Sequence, residues 1–183
     1  MNTDKRRLNI VLYETEIAQN VGAIMRTCVA TNAKLHIIEP LGFPFDERHL
    51  SRPSANEYKY VDMVRYDDWA HFEELNPNVT LFCLSRYGKG PISNYNFKEI
   101  NDDVFIMFGR ESTGIPKQIL QDNFETTFRI PMVAEARSIN ISNCVGIVSY
   151  EVLRQWDYLD LSQVEVQKGE NYIPEGNWKG IED

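Results

Sequence analysis

Positive charge is what this 183-residue sequence has too little of: 27 acids face 19 lysines and arginines, for a net charge of −8. That balance excludes a protein coated in basic surface for nucleic acid, while leaving room for a local basic patch. From Asp157 onward seven acids (Asp157, Asp160, Glu165, Glu170, Glu175, Glu182, Asp183) meet only Lys168 and Lys179, so the tail carries −5 and the body only −3. Cysteine is sparse as well. Cys28, Cys83 and Cys144 are odd in number, far apart and set in apolar sequence, which suits buried thiols and not a disulfide frame. His36, His49 and His71 have no metal-ligand spacing with one another or with any Cys, so no metal is expected. No apolar run approaches membrane-spanning length, and Lys5-Arg6-Arg7 precedes a run too short for a signal-peptide core. The expected location is cytoplasmic, with no membrane partner.

Several catalytic signatures are missing too. Gly109 and Gly114 have the spacing of a phosphate loop, but Ile115 and Pro116 stand where Lys and Ser or Thr are needed, which argues against a nucleoside triphosphatase. The turn after the first expected strand, Glu14-Thr15-Glu16-Ile17-Ala18-Gln19, has no glycine, so a dinucleotide fingerprint is absent and any nucleoside-like cofactor belongs to the C-terminal half. Spacing assembles no Ser-His-Asp triad, and the apolar neighbours of the cysteines oppose a thiolate nucleophile.

What is present is an alternation of apolar strands and amphipathic helices, with 43% hydrophobic residues, enough for one globular domain with a full core. Strands are expected at residues 8–13, 34–39, 61–66, 79–84, 104–108 and 126–130, many of them apolar throughout. Asn20 is the expected N-cap of a helix reaching about Thr31, with Val21, Ile24 and Cys28 inward and Arg26 off that stripe. Asp46 should cap a basic turn with Arg48, His49 and Arg52. Asp67 or Asp68 should cap a helix with Trp69, Phe72 and Leu75 on one side, and Pro116 should open another. The last helix follows Ser138-Ile139-Asn140-Ile141-Ser142-Asn143, with Ile141, Val145, Val148, Val152 and Trp156 at helical spacing. Its offset face of Ile147, Tyr150 and Arg154 predicts a second contact, with a partner copy. The fold class is therefore α/β, a parallel sheet with helices on both faces. Residues 157–183 read as an irregular acidic extension, docked through Tyr172 and Trp178.

In such a sheet the loops at residues 85–93, 109–115 and 131–140 leave the carboxyl ends of strands and can share one pocket. Gly109 and Gly114 would let backbone approach a flat ligand, while Arg110, Glu111, Ser138 and Asn140 offer polar contacts.

Three segments in order carry a resemblance: Asn20-Val21-Gly22-Ala23-Ile24-Met25-Arg26-Thr27-Cys28, then Phe108-Gly109-Arg110-Glu111-Ser112-Thr113-Gly114-Ile115-Pro116, then Ile130-Pro131-Met132 with residues 138–143. Together they resemble the motifs of SPOUT-superfamily RNA 2′-O-methyltransferases. LNIVLYE at residues 8–14 and LHIIEPLGF at residues 35–43 are similar to the branch that modifies the tRNA wobble nucleotide, cytidine or uridine. The resemblance covers residues 8–156 and implies one methyltransferase domain over residues 1–156 with a C-terminal deep trefoil knot, a homodimer, and a tRNA anticodon loop as substrate. It implies S-adenosyl-L-methionine as cofactor, with S-adenosyl-L-homocysteine as product. Leu84, Gly109, Ile130 and Ser138 would carry the adenosine part, with Met132, Ile139 and Asn143 beside them. Arg26 corresponds to the family's catalytic arginine, joined by Asn20, Glu111 and Asn140. Ala33 departs from the pattern, standing where relatives place Gly. Rival expectations are methylation of another tRNA position or of ribosomal RNA, and a non-enzymatic RNA-binding module; retention of Arg26, Glu111 and Asn140 together speaks against the last.

Overall fold

Strand β1 (Leu8–Tyr13) is apolar on both faces: Leu8, Ile10 and Leu12 point into one core and Val11 into another. A strand buried on both sides belongs in the middle of a sheet, and β1 lies there in this computed structural model, which describes residues 6–176. It is followed by α1 (Ala18–Thr31), β2 (Lys34–Ile38), α2 (Glu47–Leu50), β3 (Met63–Tyr66), α3 (Trp69–Leu75), β4 (Leu81–Leu84), β5 (Val104–Phe108), α4 (Lys117–Asp122), β6 (Thr127–Phe128) and α5 (Ile141–Gln155). The six strands run in the order β3-β2-β1-β5-β4-β6, and every pair is parallel. The chain winds outward from β1 through β2 to β3, then crosses over to build the other half, so the order reverses between β1 and β5.

Helices α1 and α5 cover one face. Val21, Ile24, Met25 and Cys28 of α1 and Val145, Val148, Val152 and Leu153 of α5 meet Leu8, Ile10 and Leu12 of β1 and Ile106 and Phe108 of β5. Helices α3 and α4 cover the other, where Phe72, Ile119 and Leu120 pack on Val11, Ile38, Cys83 and Met107. Beneath α3 runs a buried polar chain. His36 Nδ1 lies 2.8 Å from the Tyr66 hydroxyl and Nε2 lies 3.0 Å from Asn9 Oδ1, while Asn76 Nδ2 donates to the same hydroxyl at 3.2 Å. Burial, with Lys34 nearby, pushes the His36 pKa down to about 4, so the ring is neutral at ordinary pH.

Local sequence signals hold at most of the expected boundaries. Asp46 accepts the His49 N–H and Asp68 the His71 N–H, each capping its helix. Asn140 caps α5 through the N–H groups of Ser142 and Asn143. Four expectations are corrected. Asn20 is not a cap: α1 starts three residues earlier than expected, with Ile17 in the cap position, and the Asn20 side chain bonds across to another loop. Pro116 sits just before α4, as its N-cap. The last strand shrinks to Thr127–Phe128, because beyond it Arg129 donates its N–H to the Gly90 carbonyl instead of extending the pairing to β4. Leu75 is 57% exposed, so the inward stripe of α3 is carried by Phe72. The glycine missing at position 33 has a substitute one residue earlier: Asn32 takes the left-handed conformation (φ 53°) that ends α1, and Ala33 is buried.

After α5 the chain turns back, and Tyr158, Leu159 and Leu161 pack on the α1–α5 core. Tyr172 contacts Lys168 of its own segment, with Nζ 4.6 Å from the ring centroid, and Trp178 lies outside the described residues.

Candidate active site

The carboxyl ends of β1, β4, β5 and β6 lie along one edge, at the point where strand order reverses, and the loops leaving β4, β5 and β6 enclose a cavity of about 590 Å³. Leu84, Phe108, Ile115, Ile130, Ile139 and Ile141 give it apolar walls. The start of α1 closes one side through Ile17 and Asn20.

A continuous hydrogen-bond chain ties these pieces together. Asn140 Nδ2 donates to Asn20 Oδ1 at 2.9 Å, and Asn20 Nδ2 donates to Glu111 Oε1 at 2.8 Å. The other Glu111 oxygen accepts the Glu16 N–H at 2.8 Å. Glu16 returns the contact, accepting from Ser112 N at 2.9 Å and Ser112 Oγ at 2.8 Å. Because Asn140 Oδ1 also holds the first turn of α5, the N-termini of α1 and α5 and the loop after β5 are fixed to one another. Next to this chain Arg110 forms an ion pair with Glu14, whose side chain is only 11% exposed.

Gly109 is required for a reason other than ligand approach. A Cβ there would lie 2.2 Å from Gly114 C and Ile115 N, so its missing side chain lets the 109–115 loop close on itself, a closure sealed by the Gly114 N–H to Arg110 O bond at 2.9 Å. Gly114 supplies the left-handed residue of that turn (φ +75°) and has open space around it. The expected role is therefore corrected at Gly109, whose missing side chain shapes the loop, and the loop shapes the cavity.

Of the residues assigned from sequence, Asn20, Glu111 and Asn140 line the cavity, as do Leu84, Gly109, Ile130, Met132, Ser138 and Ile139. Two do not. Arg26 is exposed on α1, outside this chain's cavity. Asn143 is exposed on α5, and its N–H reaches back to Asn140 Oδ1 at 3.4 Å. Sequence reasoning passed over Glu14 and Glu16, although two acids directly after a buried strand were a visible signal. It also passed over Cys144 as a lining residue, because helical periodicity marks it only as core. Burial pushes that thiol up to about 11, and Cys28 and Cys83 up to about 12, so all three are protonated and inert. Among the described residues no group of three or more His, Cys, Asp or Glu is placed to hold a metal ion, and no helix is long and apolar enough to cross a membrane.

A parallel α/β sheet with a cavity built from three carboxyl-end loops defines a ligand-binding enzyme-like class, and comparison with known proteins names it. Residues 7–150 match the SpoU rRNA Methylase family, and the chain belongs to that family. It is 41% identical over 152 residues to a protein of Escherichia coli (strain K12) named tRNA (cytidine(34)-2′-O)-methyltransferase, covering 82% of this chain and 95% of that one. A Bacillus subtilis (strain 168) protein with the same name, qualified there as provisional, is 39% identical over 84% of this chain and 96% of its own. A solved structure described as giving insight into 2′-OH methylation of C/U34 on tRNA superposes with a TM-score of 0.77 at 33% identity, covering 84% of this chain and 98% of that one. At 20% identity the fold recurs in a SpoU methyltransferase of Streptomyces viridochromogenes, described in complex with the cofactor AdoMet (TM-score 0.68, covering 86% and 63%).

Proposed function

We propose that the chain transfers a methyl group from S-adenosyl-L-methionine to the ribose 2′-oxygen of the wobble nucleotide, a cytidine or modified uridine, in a tRNA anticodon loop, releasing S-adenosyl-L-homocysteine. The observation that carries this reading is likeness over nearly the whole length of relatives with that named activity, with nine of the eleven residues assigned from sequence lining one cavity.

The cavity suits the cofactor in both size and chemistry. Its volume of about 590 Å³ lies in the range of small-molecule sites, its apolar walls suit a flat heterocycle, and the adjacent loops bring backbone and hydroxyl groups for a ribose and an amino acid. Leu84, Gly109, Ile130, Met132, Ser138 and Ile139 hold it. S-adenosylmethionine supplies an already activated sulfonium methyl, so the protein's work is orientation and charge stabilisation. The Asn20–Glu111–Asn140 chain keeps the three loops in one arrangement, which holds donor and acceptor in line. As the 2′-hydroxyl gives up its proton to solvent water, the oxygen forms a bond to the methyl carbon while the sulfur–methyl bond breaks, and Arg26 stabilises the negative charge developing on that oxygen, a task for which a permanently charged planar guanidinium is suited.

The working form is a cytoplasmic homodimer. Support comes from α5, where Ile147 and Tyr150 are 47% and 50% exposed beside a fully buried inner stripe. A second copy also gives Arg26, which lies outside its own chain's cavity, a route to the ribose. The C-terminal segment is threaded as a trefoil knot. The reading is supported by membership of the SpoU family. Residues 1–156 form the methyltransferase domain and residues 157–183 its acidic extension.

Because the family's description names rRNA, methylation of ribosomal RNA is the second reading. Mass-spectrometric mapping of ribose methylation in a strain lacking the gene separates them. Loss confined to the tRNA wobble position is expected. Intact wobble methylation with a missing rRNA mark would overturn the proposal.

A further inference from the structure

We infer that Arg86, Tyr87 and Lys117, at the mouth of the cavity, form a stacking platform for an RNA nucleotide adjoining the one that is methylated; the inference rests on the function proposed above. Tyr87 lines the cavity yet is 54% exposed, so its ring faces both the cavity and the solvent at its mouth. Its backbone is held in place. Its N–H donates to Ser85 Oγ at 3.3 Å, the next residue closes a turn onto the Ser85 carbonyl at 3.1 Å, and Lys89 N donates to Thr127 O at 3.1 Å. Gly88 backs this turn directly against the β6 backbone.

Two cations attend the ring. Lys117 Nζ lies 4.0 Å from its centroid and Arg86 Cζ lies 5.6 Å away. Neither has an acidic partner among the described residues, and the same holds for Arg129 and Arg137 on the cavity's rim. Four cations without an acidic partner, Arg86, Lys117, Arg129 and Arg137, therefore line one opening, in a chain whose net charge is −8. An exposed aromatic on a backbone-anchored turn, flanked by unpaired cations, is the arrangement that takes single-stranded nucleic acid: a base stacks on the ring and the adjoining phosphates meet the cations. A free mononucleotide would use the cavity alone and would leave the rim charges, spread over three loops, unmatched.

The test measures binding of an anticodon stem-loop oligonucleotide by fluorescence anisotropy, and of S-adenosylmethionine by calorimetry, for the full chain and its variants. Tyr87→Ala should weaken RNA binding by about tenfold to a hundredfold, the range expected for one lost base stack, while Tyr87→Phe stays within about twofold. Arg86→Gln and Lys117→Gln should each lower the slope of log affinity against log salt by about 0.7. RNA affinity of Tyr87→Ala within twofold of wild type, in a wild-type protein that methylates tRNA, overturns the platform alone. Loss of S-adenosylmethionine binding in Tyr87→Ala equal to its loss of RNA binding assigns the ring to the cofactor and also overturns it. A wild-type protein that neither binds nor methylates tRNA removes the proposed function and the platform with it.

Discussion

Replacing Gly109 by alanine adds a single methyl group, and the structure gives the consequence in numbers. The new Cβ would lie 2.2 Å from Gly114 C, 2.2 Å from Ile115 N and 2.6 Å from Gly114 O, where ordinary contact begins near 3.4 Å. The loop must therefore retreat by about 1.2 Å, and all three contacts are backbone, which has no rotamer to give. A shift of that size is enough to stretch the bond that Glu111 makes to Asn20, now 2.8 Å, beyond hydrogen-bond range. Overpacking costs about 1–3 kcal/mol and one lost charge-assisted bond about as much again, so roughly 2–6 kcal/mol is expected. For a chain of this size that corresponds to a melting temperature lower by roughly 10 °C, read by calorimetry on the protein without ligand. Cofactor affinity should fall as well, as a secondary effect of the displaced loop. A Gly109→Ala protein that melts within 2 °C of wild type yet no longer binds S-adenosylmethionine would refute this reasoning, and would return Gly109 to the role of a simple gap for the ligand.

Arg26→Ala should lower turnover by on the order of 10²–10³ while cofactor and tRNA affinities stay within a few-fold, because a charge stabiliser acts in the transition state; near-normal turnover at saturating tRNA would move Arg26 to the scaffold. The depressed His36 pKa makes the unfolded chain the stronger proton binder between about pH 6.5 and 4, so this residue's contribution to stability is present above that window and is lost as pH falls through it. The loss is about 3 kcal/mol, and urea titrations at pH 7, 5 and 4 should show a shallower pH slope in His36→Gln. Ile147→Asp on the exposed face of α5 should shift sedimentation toward a monomer at micromolar concentration; an unchanged dimer would place the interface elsewhere.

Periodicity and local capping chemistry made the elements legible. The apolar runs of β1, β2 and β5, the inward stripes of α1 and α5, and the caps Asp46, Asp68 and Asn140 depend on residues within a few positions of one another, so a linear reading reaches them. The candidate cavity was legible for a related reason: in a parallel sheet, loops after strands must share an edge. Tertiary structure decided whatever depends on distant partners. Asn20 has the local signature of a cap, but Glu111 is 91 positions away and offers a charged acceptor at 2.8 Å, which outweighs a cap the helix can forgo. Gly109 has the signature of a ligand-facing gap, and only the folded loop reveals that its own residues 114 and 115 occupy the space. Arg26 bears a motif, yet motif and position disagree within one chain, because side-chain reach is set by which helix face the packing of Val21 and Ile24 turns toward the sheet. The basic rim was hidden most thoroughly of all. Net charge is a sum over the whole chain, whereas attraction for a phosphate depends on which few cations remain unpaired at one opening, and pairing is a property of the fold.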